Sequence, residues 1–382
     1  MTVIRTFRSA NDELSRLMPD RATKDEFRQL RRTISQVDQL TWTACLLLSI
    51  FSLLGGELAR SPLVQWAPWI VGIFIMSLPH GGMDDATTSV LRGEGLRRPR
   101  QFAFYLLYLG LVGAVVIWWE VRADLALLGF ILISGYHFGQ GDVYWSQLNY
   151  ELTRQPLTRQ IEERTSQSHS SRLSLLLARG GIAALLPFIY HDQQFLKIVR
   201  QLSEESGQAI TIPAWVVGQR SGALMLIGSL ILGQIWFSIG QRRGRNMAAP
   251  EAPRFSQKWR EILETGILVT LFLAAPPILS IGAYILFWHA PRHIWRLILL
   301  DHGLRGLVVK GRGLAALRQF HLRSLPIVLS AAVLLLLITL ISIQYDFAPE
   351  RLILPAFIFV NAITVPHILT VSRLDLFQKI WK

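Results

Sequence analysis

Three stretches of the chain, Ala44–Gly56, Phe102–Trp119 and Leu325–Gln344, pass without one charged side chain. The two longer ones match what a helix needs to cross a bilayer core, ~30 Å at 1.5 Å per residue. No other feature limits the fold so sharply, because in lipid each backbone N–H and C=O must be satisfied within its own structure. Composition agrees: 17% of the 382 residues are charged and mean hydropathy is +0.35, whereas a soluble domain carries about a quarter charged residues. A soluble enzyme, a disordered chain and a fibrous protein are excluded. The fold class is all-α, a polytopic membrane helical bundle.

Ten apolar runs read as membrane spans, at 40–59, 63–80, 102–119, 123–139, 173–190, 221–239, 262–275, 277–294, 325–345 and 351–371. The seventh and eighth are divided at Pro276-Pro277, where proline removes a donor and clashes with the preceding turn. Eight Lys and Arg precede the first run, and the loops after it are alternately rich and poor in them. That alternation sets both termini on the cytoplasmic side of the inner (plasma) membrane. It also accounts for the net charge of +13 as topogenic charge, so no nucleic-acid partner is expected. Residues 1–39 form a charged cytoplasmic or interfacial segment, 40–375 the transmembrane catalytic domain and 376–382 a cytoplasmic tail. The first run lacks a preceding small-residue cleavage site and is expected to be retained. The single cysteine, Cys45, lies within a run, which leaves no disulfide framework or thiolate metal site.

Ionisable groups inside a bilayer are expensive and mark function. Five of the nine histidines fall in the runs: His80, His137, His289, His293 and His367. They occupy the second, fourth, eighth and tenth runs, all directed inward. The first histidine of each comes ~20–25 Å down the span at 1.5 Å per residue, so four helices bring imidazoles to one depth near the cytoplasmic side. His289 and His293 are four apart and share a helix face, although Pro291 lies between them. Imidazole donors suit iron, zinc or copper and argue against magnesium or calcium. Asp84 and Asp142, four and five residues past a histidine, either accept the second ring N–H of a ligand or cap helix ends. Asp85 and Asp375 are expected at the interface, and His169, His191, His302 and His321 at the surface.

The segments Pro79-His80-Gly-Gly-Met-Asp84, Tyr136-His137-Phe-Gly with Asp142, Ala178-Arg-Gly-Gly, Pro276-Pro277 and Trp288-His289-Ala-Pro-Arg-His293 occur in that order. Together they resemble the bacterial Brp/Blh membrane proteins, β-carotene 15,15′-dioxygenases that supply retinal to microbial rhodopsins. The resemblance spans about Ile73 to Val371. It implies an Fe(2+) cofactor, with His80, His137, His289 and His293 as the catalytic ligand set and His367 in a Pro-His element typical of the family. It further implies β-carotene and dioxygen as substrates, entry of the polyene from the lipid bilayer, two retinals as products and a retinal-binding rhodopsin as partner. Tyr136, Phe138, Tyr284, Phe287 and Trp288 are candidates to line a polyene tunnel.

Two other classes stay open: a carotenoid-binding or rhodopsin-maturation factor without turnover, and a histidine-lined metal or proton transporter. A transport path would stagger its ionisable groups through the bilayer, whereas these gather at one level. A membrane di-iron desaturase needs more histidines in HxxxH or HxxHH clusters than this chain has.

Overall fold

The structure, a computed structural model, describes residues 24–85, 87, 98–153, 169–211, 220–240, 252–344 and 353–381. Among them helix is the only regular element, as the lack of water for backbone groups in lipid demands. Helix α1 spans Lys24–Leu54 and opens with Asp25 and Glu26 at its positive end. It runs unbroken from the charged segment into the first apolar run. Leu30, Ile34 and Val37, spaced four and three apart, are buried on one face, so from Lys24 onward the charged segment packs in the bundle.

Helix α2, Pro62–Gly81, contains a π turn at Gly72–Ser77. Next come α3 (Arg98–Val121), α4 (Ala123–Thr153), α5 (His169–Ala184), α6 (Asp192–Ser206), α7 (Arg220–Gly240) and α8 (Ala252–Ala274). Helix α9 has three parts, Pro277–Ala283, a second π turn at Tyr284–His289, and Ala290–Leu300. Helices α10 (His302–Val309), α11 (Gly313–Gln344) and α12 (Ile353–Phe377) follow, and two five-residue helices, Gly56–Arg60 and Leu186–Tyr190, lie between α1 and α2 and between α5 and α6. The break expected at Pro276-Pro277 is present. Helix α8 ends at Ala274, and Pro277 starts α9 at the first helical position, where a missing N–H is harmless. Among the described residues four helices are long and apolar enough to cross a membrane: Asp25–Leu54, Pro62–Gly81, Gln101–Val121 and Phe357–Phe377. Large apolar side chains on their outer faces, among them Leu47, Leu63, Leu106 and Ile117, are exposed. This is the arrangement expected of a surface solvated by lipid rather than water.

Two close crossings set where the histidines sit. Helices α4 and α5 meet through Gly135, Gly139 and Gly180. A Cβ on Gly139 would land on the carbonyl of Leu176, and one on Gly180 on the carbonyl of Gly135. Small residues of this kind let helix backbones touch. Helices α2 and α9 cross at Gly282 and Gly72. A Cβ on Gly282 would stand 2.6 Å from Trp69 Cδ1, and one on Gly72 would stand 3.3 Å from Leu286 Cβ. The π turns of α2 and α9 lie against each other at this crossing, just before His80 and at His289. Such bulges widen a turn and re-aim the side chains beyond it.

Candidate metal centre

The π turn of α2 is closed by an i→i−5 bond from Leu78 N–H to Ile73 O, and Pro79 has no N–H to donate. Carbonyls of this turn are taken by histidine rings. Met76 O accepts from His80 Nδ1 at 2.9 Å, and His321 Nε2 lies 2.9 Å from Ile75 O. His321, expected at the surface, therefore ties α11 to α2. In α9 the second π turn ends with Ala290 N–H bonded to Ile285 O, and Pro291 comes next, so His289 and His293 leave a locally widened helix.

All five histidines singled out in the sequence meet at one point, and each is buried. Ring centroids of His80 lie 5.0 Å from His293 and His367 and 5.9 Å from His289. Those of His137 lie 4.7 Å from His289 and 5.0 Å from His367. His289 and His293 stack at 6.3 Å, confirming that they share a face. One ring nitrogen from each of His80, His137 and His367 can be chosen so that all fall within 4.8 Å of one another.

The hydrogen bonds fix how these rings present themselves. His80 Nδ1 faces a carbonyl, His137 Nδ1 faces Gln140 Oε1 at 3.4 Å, and His367 Nδ1 faces Asp84 Oδ1 and Oδ2 at 3.0 and 3.1 Å. Each partner only accepts, so each Nδ1 carries the proton, and in the neutral ring that ligates a metal Nε2 is the nitrogen with the lone pair. His289 Nε2 stands 3.1 Å from His137 Nε2. Two nitrogens bound cis to one ion at ~2.1 Å would stand about 3.0–3.4 Å apart. His367 Nε2 and His293 Nδ1 are buried with no hydrogen-bond partner. An unmet buried polar atom costs roughly 1–3 kcal/mol, and convergent lone pairs of this kind fit a transition-metal ion such as iron.

The two carboxylates differ in what they hold. Asp84 faces the Nδ1 of His367 on α12, and Tyr108 Oη also donates to it at 3.4 Å. Asp142 accepts from Trp288 Nε1 and from Arg292 Nη1, each at 2.9 Å, rather than from a ring N–H. It belongs to a buried ionic network in which Arg179, Arg260 and Arg292 face Asp38, Asp142 and Glu264. Arg292 reaches Glu264 at 2.8 Å and Asp38 at 3.5 Å, Arg260 reaches Asp38 at 2.9 Å, and Arg179 reaches Glu264 at 3.3 Å. Trp145 Nε1 donates to Asp38 at 2.7 Å. Asp375, expected at the interface, is wholly buried against Arg296 at 2.5 Å. Such a pair survives in an apolar interior because each charge is neutralised where it stands.

Of the tunnel candidates, Phe138 and Tyr284 pack on His289, with centroids 5.0 and 6.1 Å away, and on each other at 5.0 Å. Tyr136 is 40% exposed, one residue from His137, and its hydroxyl accepts from Gln140 at 3.4 Å. Phe287 is half-buried in the same cluster as Phe138. Trp288 faces the ionic network instead. It is fully buried with the Arg292 guanidinium 4.0 Å above its ring, because its indole N–H needs an acceptor and finds Asp142.

Sequence reasoning passed over Asp38, Glu264, Arg260 and Gln140. A signal for the acids was present, since Arg179 inside an apolar run requires a buried counter-charge.

A sequence model of the β-carotene 15,15′-dioxygenase family matches residues 71–375. The chain is similar to the probable β-carotene 15,15′-dioxygenase Blh of Halobacterium salinarum, 24% identical over 311 residues that cover 80% of this chain and 82% of that one. It is also similar to a β-carotene 15,15′-dioxygenase of uncultured marine bacterium 66A03, 35% identical over 80 residues, 21% of this chain and 29% of that one. No solved structure matches.

Proposed function

The chain belongs to the β-carotene 15,15′-dioxygenase family, and on that premise we propose that it splits β-carotene at the central 15,15′ double bond with dioxygen, giving two retinals, at an Fe(2+) centre ligated by His80, His137, His289 and His293. The observation that carries the reading is the convergence of five buried imidazoles, three of which, His80, His137 and His367, have Nδ1 turned to an acceptor. When bound there, iron supplies the activation of dioxygen that the protein's own groups lack. One oxygen atom goes to each aldehyde, so the reaction needs no external reductant.

The residues around the histidines do the rest. Phe138 and Tyr284 form an apolar wall beside His289, which excludes water and gives a polyene a surface to lie on. Tyr136, exposed at the outer face next to His137, marks where a lipid-dissolved substrate enters from the bilayer without crossing water. In this reading the chain crosses the inner membrane ten times with both termini in the cytoplasm, and retinal passes to a rhodopsin.

Expression in a bacterial host that accumulates β-carotene tests the reaction. Wild-type protein is expected to bleach the cells and yield retinal, and His289→Ala to leave the colour and yield none. Retained colour with folded wild-type protein sinks the assignment. Bound, uncleaved carotenoid would then indicate a binding factor, and metal flux without carotenoid a transporter. Stripping the purified protein with a chelator is expected to abolish turnover, with Fe(2+) and not Zn(2+) restoring it. Recovery with zinc would argue against the iron reading.

A further inference from the structure

Helix α12 brings a fifth imidazole to the cluster. The His367 ring centroid lies 5.0 Å from those of both His80 and His137, and its Nδ1 is held by both oxygens of Asp84. Its remaining nitrogen, Nε2, is buried and has no hydrogen-bond partner. His80, His137 and His367 are also the trio whose ring nitrogens fall within 4.8 Å of one another. A carboxylate on the far nitrogen of an imidazole is the device that fixes a metal-binding histidine and raises its basicity. No acceptor of equal charge holds His80, whose Nδ1 meets a carbonyl, or His137, whose Nδ1 meets an amide oxygen.

From this geometry we infer that His367 is a fifth iron ligand, with Asp84 as its positioning residue. The inference rests on the reading of the cluster as an iron centre. Five imidazoles would hold the ion, and a polyene would be placed beside it by packing against Phe138 and Tyr284 alone. Asp84 acts through His367, so removal of both should do no more harm than removal of His367.

The test uses the full-length protein in detergent and reads iron affinity by competition with a coloured chelator, with turnover recorded separately. His367→Ala is expected to lower iron affinity at least ~10-fold and Asp84→Asn by ~10–100-fold or less, with the double variant no weaker than His367→Ala. Free imidazole should restore affinity to His367→Ala and leave Asp84→Asn unchanged, a rescue that a packing role would not show. Wild-type affinity in His367→Ala, with only KM or kcat altered, overturns the inference and makes His367 a substrate contact. Additive losses in the double variant overturn the role of Asp84. If wild-type protein binds no iron, the iron reading itself has failed. If wild type binds and His289→Ala does not, while His367→Ala is normal, only the fifth ligand is lost.

Discussion

Arg292→Met is expected to destabilise the folded protein by about 3–5 kcal/mol, the range for breaking a buried ion pair by removing one partner. The guanidinium is 3% exposed and sits among Asp142, Glu264 and Asp38, with carboxylate exposures of 4%, 7% and 5%. Its loss leaves three acids facing two arginines where water cannot enter to solvate the surplus. It also takes the cation from above the Trp288 ring. The network holds α9 one residue before His293, so on the iron reading proposed above the variant should lose iron as well as thermal stability. Arg28→Met is the control, because Arg28 and Asp25 form a pair 77% and 88% exposed and solvent-screened pairs contribute little. Unfolding followed by size-exclusion in detergent gives both values. Equal melting temperatures for the two variants would show that the buried network carries no weight. A partial recovery in Arg292→Met with Asp142→Asn would measure how much of the loss is the stranded carboxylate.

Gly139→Ala should act in the opposite direction from the same change made at Gly113. In a free helix the substitution stabilises by about 1 kcal/mol. At Gly113 of α3 nothing lies within 4 Å of the new methyl group, whereas at Gly139 it meets the backbone of Leu176, with the carbonyl carbon 2.9 Å away. Backbone cannot rotate aside as a side chain can, so α4 must part from α5, at a cost of about 1–3 kcal/mol or more. His137 lies two residues before Gly139 and moves with it, so retinal yield should fall in the Gly139 variant. Similar melting temperatures and yields for both variants would mean that the crossing has slack.

Much of the candidate site was legible because imidazoles in apolar runs are costly. His80, His137, His289, His293 and His367 could each be singled out from their neighbours, and a common depth came from counting residues along each run. Pairings were not legible where they depend on how one helix is rotated against another. Asp84 lies four residues from His80, a spacing that suggests a contact within one helix, yet the end of α2 and the path of α12 bring it to His367, 283 positions away. Asp142 and Trp288 likewise found each other across 146 positions. Asp38 was hidden because it stands in a segment already rich in both signs, and its partners Arg260, Arg292 and Trp145 come from distant helices. Of the ten apolar runs, the four long apolar helices bear out the general class. The sharpest local feature, the π turn, had no visible sequence marker beyond the prolines beside it.

Helix α12 closes two polar contacts that reach back to helices made well before it, Asp84 with His367 and Arg296 with Asp375. During synthesis, therefore, an acid just past α2 and a cation on α9 enter the bundle before their partners exist. Until α12 arrives they must keep company with water, lipid headgroups or a chaperoning surface. The last helix is in that sense a keystone. A chain stopped before Ile353 would carry four of the five clustered histidines and two stranded charges, a species for quality control to remove rather than a slower enzyme.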